Sequence, residues 1–179
     1  MRPNLITERL NLRCFTPDDF AALYALTRQA QITDILPDWA MTAEQLHGYL
    51  AWWQGNYSAF NPQQPLWLYA ICLAGDGELI GWVGLWDKEG LNSPYPEVAY
   101  ALSRDYRGKG YAAEAVICAC AELYTHCPDL PAIVAIVKES NTASRAVVQR
   151  AGFLPNGTVV LPEEGEFDLF IQLRPHTEV

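Results

Sequence analysis

The sequence predicts an α/β fold: a single mixed, mostly antiparallel sheet with a central parallel βαβ unit and flanking helices. Two apolar, aromatic-rich runs, Leu66 to Leu73 and Leu79 to Trp86, are joined by Gly75-Asp76-Gly77, a turn signal typical of an antiparallel hairpin. The run Glu97 to Leu102, a long apolar helix pattern and the short apolar run Ile133 to Val137 then follow one another as in a parallel βαβ unit. Together these patterns predict a mixed sheet.

The N-terminal third is predicted to contain a strand and two helices. Leu10 to Phe15 alternates apolar and polar residues, as a half-buried strand does. Thr16-Pro17-Asp18-Asp19 supplies an N-cap, a first-turn proline and acidic residues, so a helix should follow through about Ala30. Thr42 to Gly55 is predicted to be a second helix, with prolines on both sides of it.

The C-terminal third is predicted to contain two more helices and two more strands. Ala112 to Thr125 is apolar almost all round, which indicates a buried helix. Ser140-Asn141 opens a helix that should close at Gly152. Phe153 onward and Glu166 to Leu173 indicate the last two strands.

Length and composition favour a compact enzyme. The chain has 179 residues, half of them apolar, which is enough for one core that buries roughly 70% of the unfolded surface. We therefore expect residues 1–179 to form a single domain. A formal net charge of −9 argues against nucleic acid as a partner. No stretch of 18 apolar residues and no apolar leader is present, so we expect a soluble, cytoplasmic protein without a membrane partner.

The five cysteines are predicted to be buried thiols. They lie in strand and helix patterns and form no CxxC pair. Cys118 and Cys120 are close to His126 and Cys127, but residues two apart on a helix point in different directions, so this set does not converge on one ion. We expect no metal.

The strongest functional signal in the sequence is a glycine turn between a predicted strand and a predicted helix. Arg107-Gly108-Lys109-Gly110-Tyr111-Ala112 joins the strand Glu97 to Leu102 to the long apolar helix. Two glycines let the backbone approach a ligand, two basic residues add charge, and the first turn of a helix offers unpaired N–H groups. Such a turn should bind an anion, most plausibly a pyrophosphate.

The spacing of this turn also fits a dinucleotide site. Gly108, Gly110 and Ala113 satisfy G-x-G-x-x-G/A. In a dinucleotide-binding fold, however, the first glycine follows the first strand almost directly. Here Ser103 to Tyr106 separate the turn from the strand before it, and three predicted strands precede that strand. The context therefore argues against a nicotinamide cofactor, and no P-loop motif is present.

Two motifs resemble the signatures of the GNAT N-acetyltransferases. The acetyl-CoA signature Q/R-x-x-G-x-G/A falls on Asp105 to Gly110, which departs from it only at the first position. A second signature, N-x-x-A/S-x-x-φ-x-x-x-x-G-F with φ apolar, is met further along the chain by Asn141, Ser144, Val147, Gly152 and Phe153. The resemblance implies the GNAT fold and acetyl-CoA as cosubstrate, with no metal.

The opening Leu5 to Arg13 and the run Gly110 to Ala115 look more narrowly like the ribosomal-protein-alanine and ribosomal-protein-serine N-acetyltransferases. This likeness implies a protein N-terminus as the amine acceptor. Two alternatives remain open: an acetyltransferase of a small amine, such as a polyamine or an amino-sugar, and a non-catalytic acyl-CoA-binding domain. Residues 30–65 and 155–166 match no signature, and these are the regions where such enzymes usually bind the acceptor.

The same resemblance implies roles for individual residues. Backbone groups of Leu102 would hold the pantetheine arm and polarise the thioester carbonyl, and Asn141 would hydrogen-bond the arm. The amides of the glycine turn would take the pyrophosphate, which assigns cofactor binding to Arg107, Gly108, Lys109, Gly110, Tyr111 and Ala112.

Glu97 is our candidate general base, because it begins the strand that leads into the acetyl-CoA site and could take a proton from an ammonium directly or through water. The competing interpretation is a solvated carboxylate at a strand edge. Asp87, at the end of the neighbouring strand, is the reserve candidate.

The proton donor is less defined by the sequence. Many GNAT enzymes carry a tyrosine seven residues after the motif asparagine, and here that position is Val148. Ser144 lies one turn earlier on the same helix face and could reach the sulfur instead. Alternatively no acid is used, since a thiol with a pKa near about 8.5 is a fair leaving group. Ser144 and Asn141 could also simply bond the backbone of the first helical turn.

Two further groups of residues have a structural and a functional interpretation. The aromatic residues between 39 and 57 should mostly pack in the core, although they could also form the wall of an acceptor pocket. The acidic residues Glu163, Glu164 and Glu166 should form a solvated turn, although they could also attract a cationic acceptor.

Overall fold

One eight-stranded sheet forms the centre of the molecule. The computed structural model describes residues 4–59, 61 and 63–175. The strands lie in the order β1-β2-β3-β4-β5-β6-β8-β7. Their bounds are Leu5–Ile6 (β1), Leu10–Arg13 (β2), Leu66–Leu73 (β3), Leu79–Trp86 (β4), Glu97–Leu102 (β5), Ala132–Val137 (β6), Leu154–Leu161 (β7) and Gly165–Leu173 (β8). All neighbouring pairs are antiparallel except β5 and β6, so the predicted mixed sheet with a central parallel unit is confirmed.

Helices cover both faces of this sheet. They are Phe20–Leu26 (α1), Ala30–Thr33 (α2), Ala43–Asn56 (α3), Tyr111–His126 (α4) and Thr142–Arg150 (α5). On one face Leu46 and Trp53 of α3 pack with Trp82 of β4. On the other face Val116 of α4 packs with Val83 of β4. Because successive side chains of a strand point to opposite faces, one strand contributes to both cores.

β5 and β6 separate almost as soon as they meet. Their register holds a single pair, Glu97 with Val134, and Val134 N–H donates to the carbonyl of Pro96 at 2.9 Å. Along β5, Ser103 N–H donates to β4, at Ile80 O, over 2.8 Å. Since the direction of backbone groups alternates along a strand, the N–H and C=O groups of Tyr100 and Leu102 point away from β4, into the gap. The sheet therefore opens in its middle onto backbone hydrogen-bonding groups.

The first predicted helix was wrong in its length. Pro17–Asp19 form a short 3₁₀ turn, α1 ends at Leu26, and α2 begins at Ala30. Gln29 between them is extended, because its side-chain amide donates to Ser103 Oγ at 3.1 Å and its Oε1 accepts the N–H of Arg104 at 2.9 Å. A tertiary contact thus takes this residue out of the helix.

The strand predicted over Leu10 to Phe15 was also too long. It ends at Arg13, and the N–H of Phe15 donates to the hydroxyl of Tyr57 at 2.9 Å rather than to a neighbouring strand.

The other helix predictions agree with the structure to within about one residue. Thr42 caps α3 in a capping box with Gln45, and Asn141 caps α5. The hydrogen bonds of these N-cap residues determine where α3 and α5 begin. Of the cysteines, Cys72, Cys120 and Cys127 are buried as predicted, whereas Cys14 and Cys118 are partly exposed.

Within the described ranges no helix is long and apolar enough to cross a bilayer. The cytoplasmic location stays a prediction.

We expect Asp19→Ala to lower the free energy of unfolding by about 3 kcal/mol, because it leaves the Arg13 guanidinium without its buried partner. Asp19 is 5% exposed and accepts two hydrogen bonds of 2.7 Å from Arg13, which tie the start of α1 to β2. Urea denaturation measures the change. In the exposed pair of Arg104 and Asp105, 3.6 Å apart, Asp105→Ala is the control and should change little. Equal losses in both variants would contradict the anchoring role.

Candidate active site

A cavity of about 540 Å³ opens where β5 and β6 separate. We call the part near Arg107–Tyr111 its turn end and the part near Asp38, Glu97 and Glu164 its acidic end. The structure brings nearly all of the predicted site residues to this one cavity, namely Glu97, Leu102, Arg107, Gly108, Gly110, Tyr111, Ala112, Asn141 and Ser144. Residues that are far apart in sequence therefore share one space.

The turn end is built as an anion site. Gly108 and Gly110 have φ values of 77° and 85°, which residues with a Cβ rarely adopt. Gly110 is the N-cap of α4, and the first intrahelical bond runs from Glu114 N–H to Gly110 O at 3.1 Å. The N–H groups of Tyr111 to Ala113 consequently have no acceptor inside the helix, and these residues line the cavity. A helix start of this kind binds phosphate groups.

Two arginines flank Gly110, and sequence reasoning missed both. A Cβ at Gly110 would lie 3.4 Å from Arg9 Nη2 and 3.7 Å from Arg150 Nη1. Arg9 is neutralised by Glu114, at 2.6 Å, and its Nη1 donates to Lys109 O at 2.9 Å. Arg150 lines the cavity and pairs with no carboxylate among the described residues. In the sequence Arg150 resembles any cation in the last turn of a helix.

The two basic residues of the turn itself behave differently from the prediction. Arg107 clamps the turn, because its Nε donates to Leu102 O at 3.3 Å and its Nη2 donates to Gln31 O at 3.1 Å. The side chain of Lys109 does not line the cavity. Its Nζ folds back to Asp105 O at 3.2 Å and lies 5.1 Å from the ring centre of Tyr106, so only the Lys109 backbone belongs to the turn.

Glu97 lies inside the protein, so the interpretation as a solvated strand-edge carboxylate was wrong. The residue is 6% exposed, and no described residue donates a hydrogen bond to its carboxylate. Burial raises the pKa of Glu97 to about 7, the charge of Lys88 opposes that rise, and Glu164 adds to it. Asp87, the reserve candidate, is exposed and does not line the cavity.

Asn141 and Ser144 are connected to a residue that sequence reasoning did not select. Asn141 Oδ1 accepts the N–H of Ser144 at 3.1 Å, which is the N-cap bond of α5. The Ser144 hydroxyl lies 2.7 Å from the hydroxyl of Tyr100, which also lies 3.1 Å from Ser144 O. Tyr100 was missed because a tyrosine inside an apolar strand resembles a core residue. Val148, in the position of the family tyrosine, is fully buried.

The acidic end combines carboxylates with tryptophans. Trp39 stacks on Trp82 with ring centres 4.5 Å apart, and Trp86 lies beside them. Glu164 lies in an exposed turn, as predicted, and it also lines the cavity and pairs with Lys88 at 2.9 Å. Most of the other aromatic residues between 39 and 57 pack as predicted, with Trp53 and Tyr57 in the core. This end suits an ammonium group, since carboxylates and aromatic faces both attract cations.

Acetyl-CoA fits the residues present. The free N–H groups of α4 and Arg150 suit a pyrophosphate, and the backbone groups of β5 that point into the gap suit the amides of a pantetheine arm. Among residues 4–59, 61 and 63–175, no three His, Cys, Asp or Glu side chains come together as a metal site would require.

Comparisons with known proteins agree with this geometry. The family described as Acetyltransferase (GNAT) domain matches residues 9–154. The Bacillus subtilis protein named "Putative ribosomal N-acetyltransferase YdaF" is 26% identical over 162 residues, covering 85% of this chain and 81% of that protein.

Solved structures share the whole fold. An acetyltransferase of the GNAT family from Bacillus anthracis gives a TM-score of 0.77 at 21% identity, covering 96% of this chain and 98% of that one. RimL, a ribosomal L7/L12 α-N-protein acetyltransferase in complex with coenzyme A, gives 0.75 at 18% identity over 96% and 98% of the two chains. Aminoglycoside acetyltransferase AAC(6')-Ib in complex with coenzyme A and kanamycin gives 0.71 at 22% identity over 92% and 95%. The chain therefore belongs to the GNAT family, whose members are acetyltransferases that use acetyl-CoA as the acyl donor.

Proposed function

We propose that the protein moves an acetyl group from acetyl-CoA to the primary amine of a protein N-terminus that begins with alanine or serine. The observation that carries the proposal is Glu97, a buried carboxylate with a pKa of about 7 in the same cavity as an anion-binding helix start. A group with this pKa can accept a proton near neutral pH.

Glu97 supplies the proton acceptor of the reaction. The acceptor arrives as an ammonium ion, which cannot attack a thioester until it loses a proton. Glu97 takes this proton, directly or through one water. The neutral nitrogen then forms the new C–N bond while the C–S bond breaks and its electron pair leaves with sulfur. The second proton of that nitrogen passes through water to the thiolate, which gives the amide and free coenzyme A. Glu97 needs no hydrogen-bond partner of its own for this step, and none of the described residues provides one.

The turn end holds the donor. The N–H groups of Tyr111 to Ala113 bind the pyrophosphate, and the guanidinium of Arg150 adds positive charge beside them. The N–H of Leu102 points into the gap and polarises the thioester carbonyl, while Asn141 keeps its amide Nδ2 for the pantetheine arm. The side-chain oxygen of Asn141 is already used as the helix cap.

The likeness to the relative named for ribosomal N-acetylation, YdaF, supports a protein N-terminus as the acceptor. The carboxylates and tryptophans of the acidic end suit the ammonium group that such an acceptor carries.

A small amine is the second candidate, because a related fold binds kanamycin together with coenzyme A. The test is a thiol-release assay with acetyl-CoA and a matched panel of peptides beginning with Ala or Ser, polyamines and aminoglycosides. Turnover of peptides alone supports the proposal, and turnover of small amines alone replaces it with the second candidate. Binding of acetyl-CoA without turnover of any amine would indicate a non-catalytic acyl-CoA-binding domain.

We expect Glu97→Gln to lower kcat about 100-fold, because the amide cannot accept the proton. In the wild type, kcat/KM should rise with pH up to about 7 and then level off, since only the ionised carboxylate is a base. Steady-state kinetics measured about every half pH unit between pH 5 and pH 9 check both effects. Asp87→Asn makes the same change at an exposed carboxylate that does not line the cavity, and this control should keep full activity.

Glu97→Gln should not unfold the protein. The native pKa of this group, about 7, is higher than its unfolded value of 4.5, so its ionisation lowers stability as pH rises between these values. The Gln variant escapes that cost. A melting temperature at pH 8 that is clearly below that of the wild type would show that the loss of activity has a structural origin.

We expect Lys88→Met to move the rising limb of the pH profile to higher pH. The Lys88 ammonium lowers the pKa of Glu97, and it also pairs with Glu164, whose charge raises that pKa. Removing Lys88 therefore raises the pKa of Glu97 by both routes. An unchanged limb would mean that another group, not Glu97, controls the profile.

We expect Gly110→Ala to weaken acetyl-CoA binding about tenfold. The φ of 85° strains alanine, and the new methyl group would lie 3.4 Å from Arg9 and 3.7 Å from Arg150, so the N–H groups of the turn lose their alignment. Titration calorimetry measures the affinity. Gly157→Ala is the matched control, because Gly157 has a φ of 90°, has open space around it and lies in β7 away from the cavity. Equal affinities of the two variants for acetyl-CoA would show that the glycine turn does not bind it.

A further inference from the structure

We propose that Tyr100 is a positioning residue, which holds the Ser144 hydroxyl so that its hydrogen points into the cavity and stabilises the departing sulfur of coenzyme A. This role rests on the proposed acetyl transfer, but not on which amine is the acceptor. The fully buried Val148 stands in the position of the family tyrosine, so Ser144 makes the contact with sulfur instead.

Tyr100 and Glu97 reach the cavity from opposite faces of β5. Glu97 is paired with Trp86, whose side chain belongs to the face covered by α1 and α3. Tyr100 is paired with Val83, which belongs to the face covered by α4. Directly opposed residues of antiparallel strands share a face, so the two functional side chains are separated by the strand itself. The attacking nitrogen and the leaving sulfur also lie on different sides of the reacting carbon.

The contacts around Ser144 fix the positions of its atoms except for the direction of its hydroxyl hydrogen. Its N–H is already bound by Asn141 Oδ1 at 3.1 Å. The single hydrogen of the Tyr100 hydroxyl has two acceptors within reach, Ser144 Oγ at 2.7 Å and Ser144 O at 3.1 Å. When Tyr100 donates to the nearer Oγ, the Ser144 hydrogen is released for the cavity. When Tyr100 donates to the carbonyl, the Ser144 hydrogen is used by Tyr100 and cannot act.

The first arrangement fits a hydrogen-bond role rather than a proton transfer. Burial raises the pKa of Tyr100 to about 12, so it stays a hydrogen-bond donor throughout the working range. A thiol has a pKa of about 8.5, so its thiolate does not remove a proton from either hydroxyl. In the balanced step, Glu97 has taken one proton of the ammonium, the C–N bond forms, the C–S bond breaks, and sulfur keeps the electron pair. Ser144 donates a hydrogen bond to this thiolate, which then receives the second proton of the nitrogen through water.

The test compares two leaving groups in the intact enzyme. Ser144→Ala, Tyr100→Phe and the double variant are assayed with acetyl-CoA and with the selenium analogue of acetyl-CoA, whose selenolate is a weaker base and needs less stabilisation. With acetyl-CoA each single variant should lower kcat about tenfold, and the double variant should lose little more, because the two hydroxyls act as a unit. The KM for the amine should not change. With the selenoester all three losses should shrink.

Tyr124→Phe is the matched control. Its hydroxyl is also part of a buried tyrosine and donates to a backbone carbonyl, Gln172 O at 2.8 Å, but Tyr124 does not line the cavity. This variant should keep the kcat of the wild type with both donors. It therefore separates the loss of a tyrosine hydrogen bond in general from the loss of the one at Ser144.

Three results would overturn the proposal. A Tyr100→Phe enzyme with normal kcat means that Ser144 needs no positioning. Losses of equal size with both donors mean that the two residues act on structure and not on the leaving group. Additive losses in the double variant mean that they act separately. If the wild type acetylates no amine at all, the proposed function fails as well, whereas normal wild-type turnover with any of these three results removes only the role of Tyr100.

Discussion

The single residue pair that joins β5 to β6 is the constraint on which the site depends. Parallel strands normally satisfy each other's backbone groups along their length, and here pairing stops after Glu97 and Val134. Backbone N–H and C=O groups that face a gap need another hydrogen-bond partner, and a ligand with amides of its own can provide it. The same separation gives α4 its position at the wide end of the gap, with its free N–H groups turned toward the opening.

Features with local causes could be predicted from the sequence. Gly108 and Gly110 adopt positive φ, and Thr42 and Asn141 cap helices, because each conformation follows from a residue and its near neighbours. The break in the first helix could not be predicted. It depends on Gln29 reaching Ser103, and nothing close to Gln29 in sequence signals that contact.

The candidate site shows the same division between local and long-range causes. Most of the motif residues line one cavity, but the character of each side chain depends on its tertiary surroundings. Glu97 is unusual because the fold buries it, and Glu164 lines the cavity beside Lys88, with which it pairs. Lys109 has the charge that a phosphate site needs, yet its own turn offers a nearer acceptor, Asp105 O. Tyr100 could have been selected by asking which residues of β5 share a face with α5.

The bond network of Arg9 has a consequence for the assembly of the protein. Arg9 contacts Glu114 and Lys109, residues 105 and 100 positions later in the chain. These bonds join the first edge of the sheet to the glycine turn and the start of α4, and they are contacts of high sequence separation. During synthesis, Arg9 leaves the ribosome long before its partners do. A nascent chain thus cannot tie the glycine turn to the edge of the sheet until residues up to Glu114 have been made.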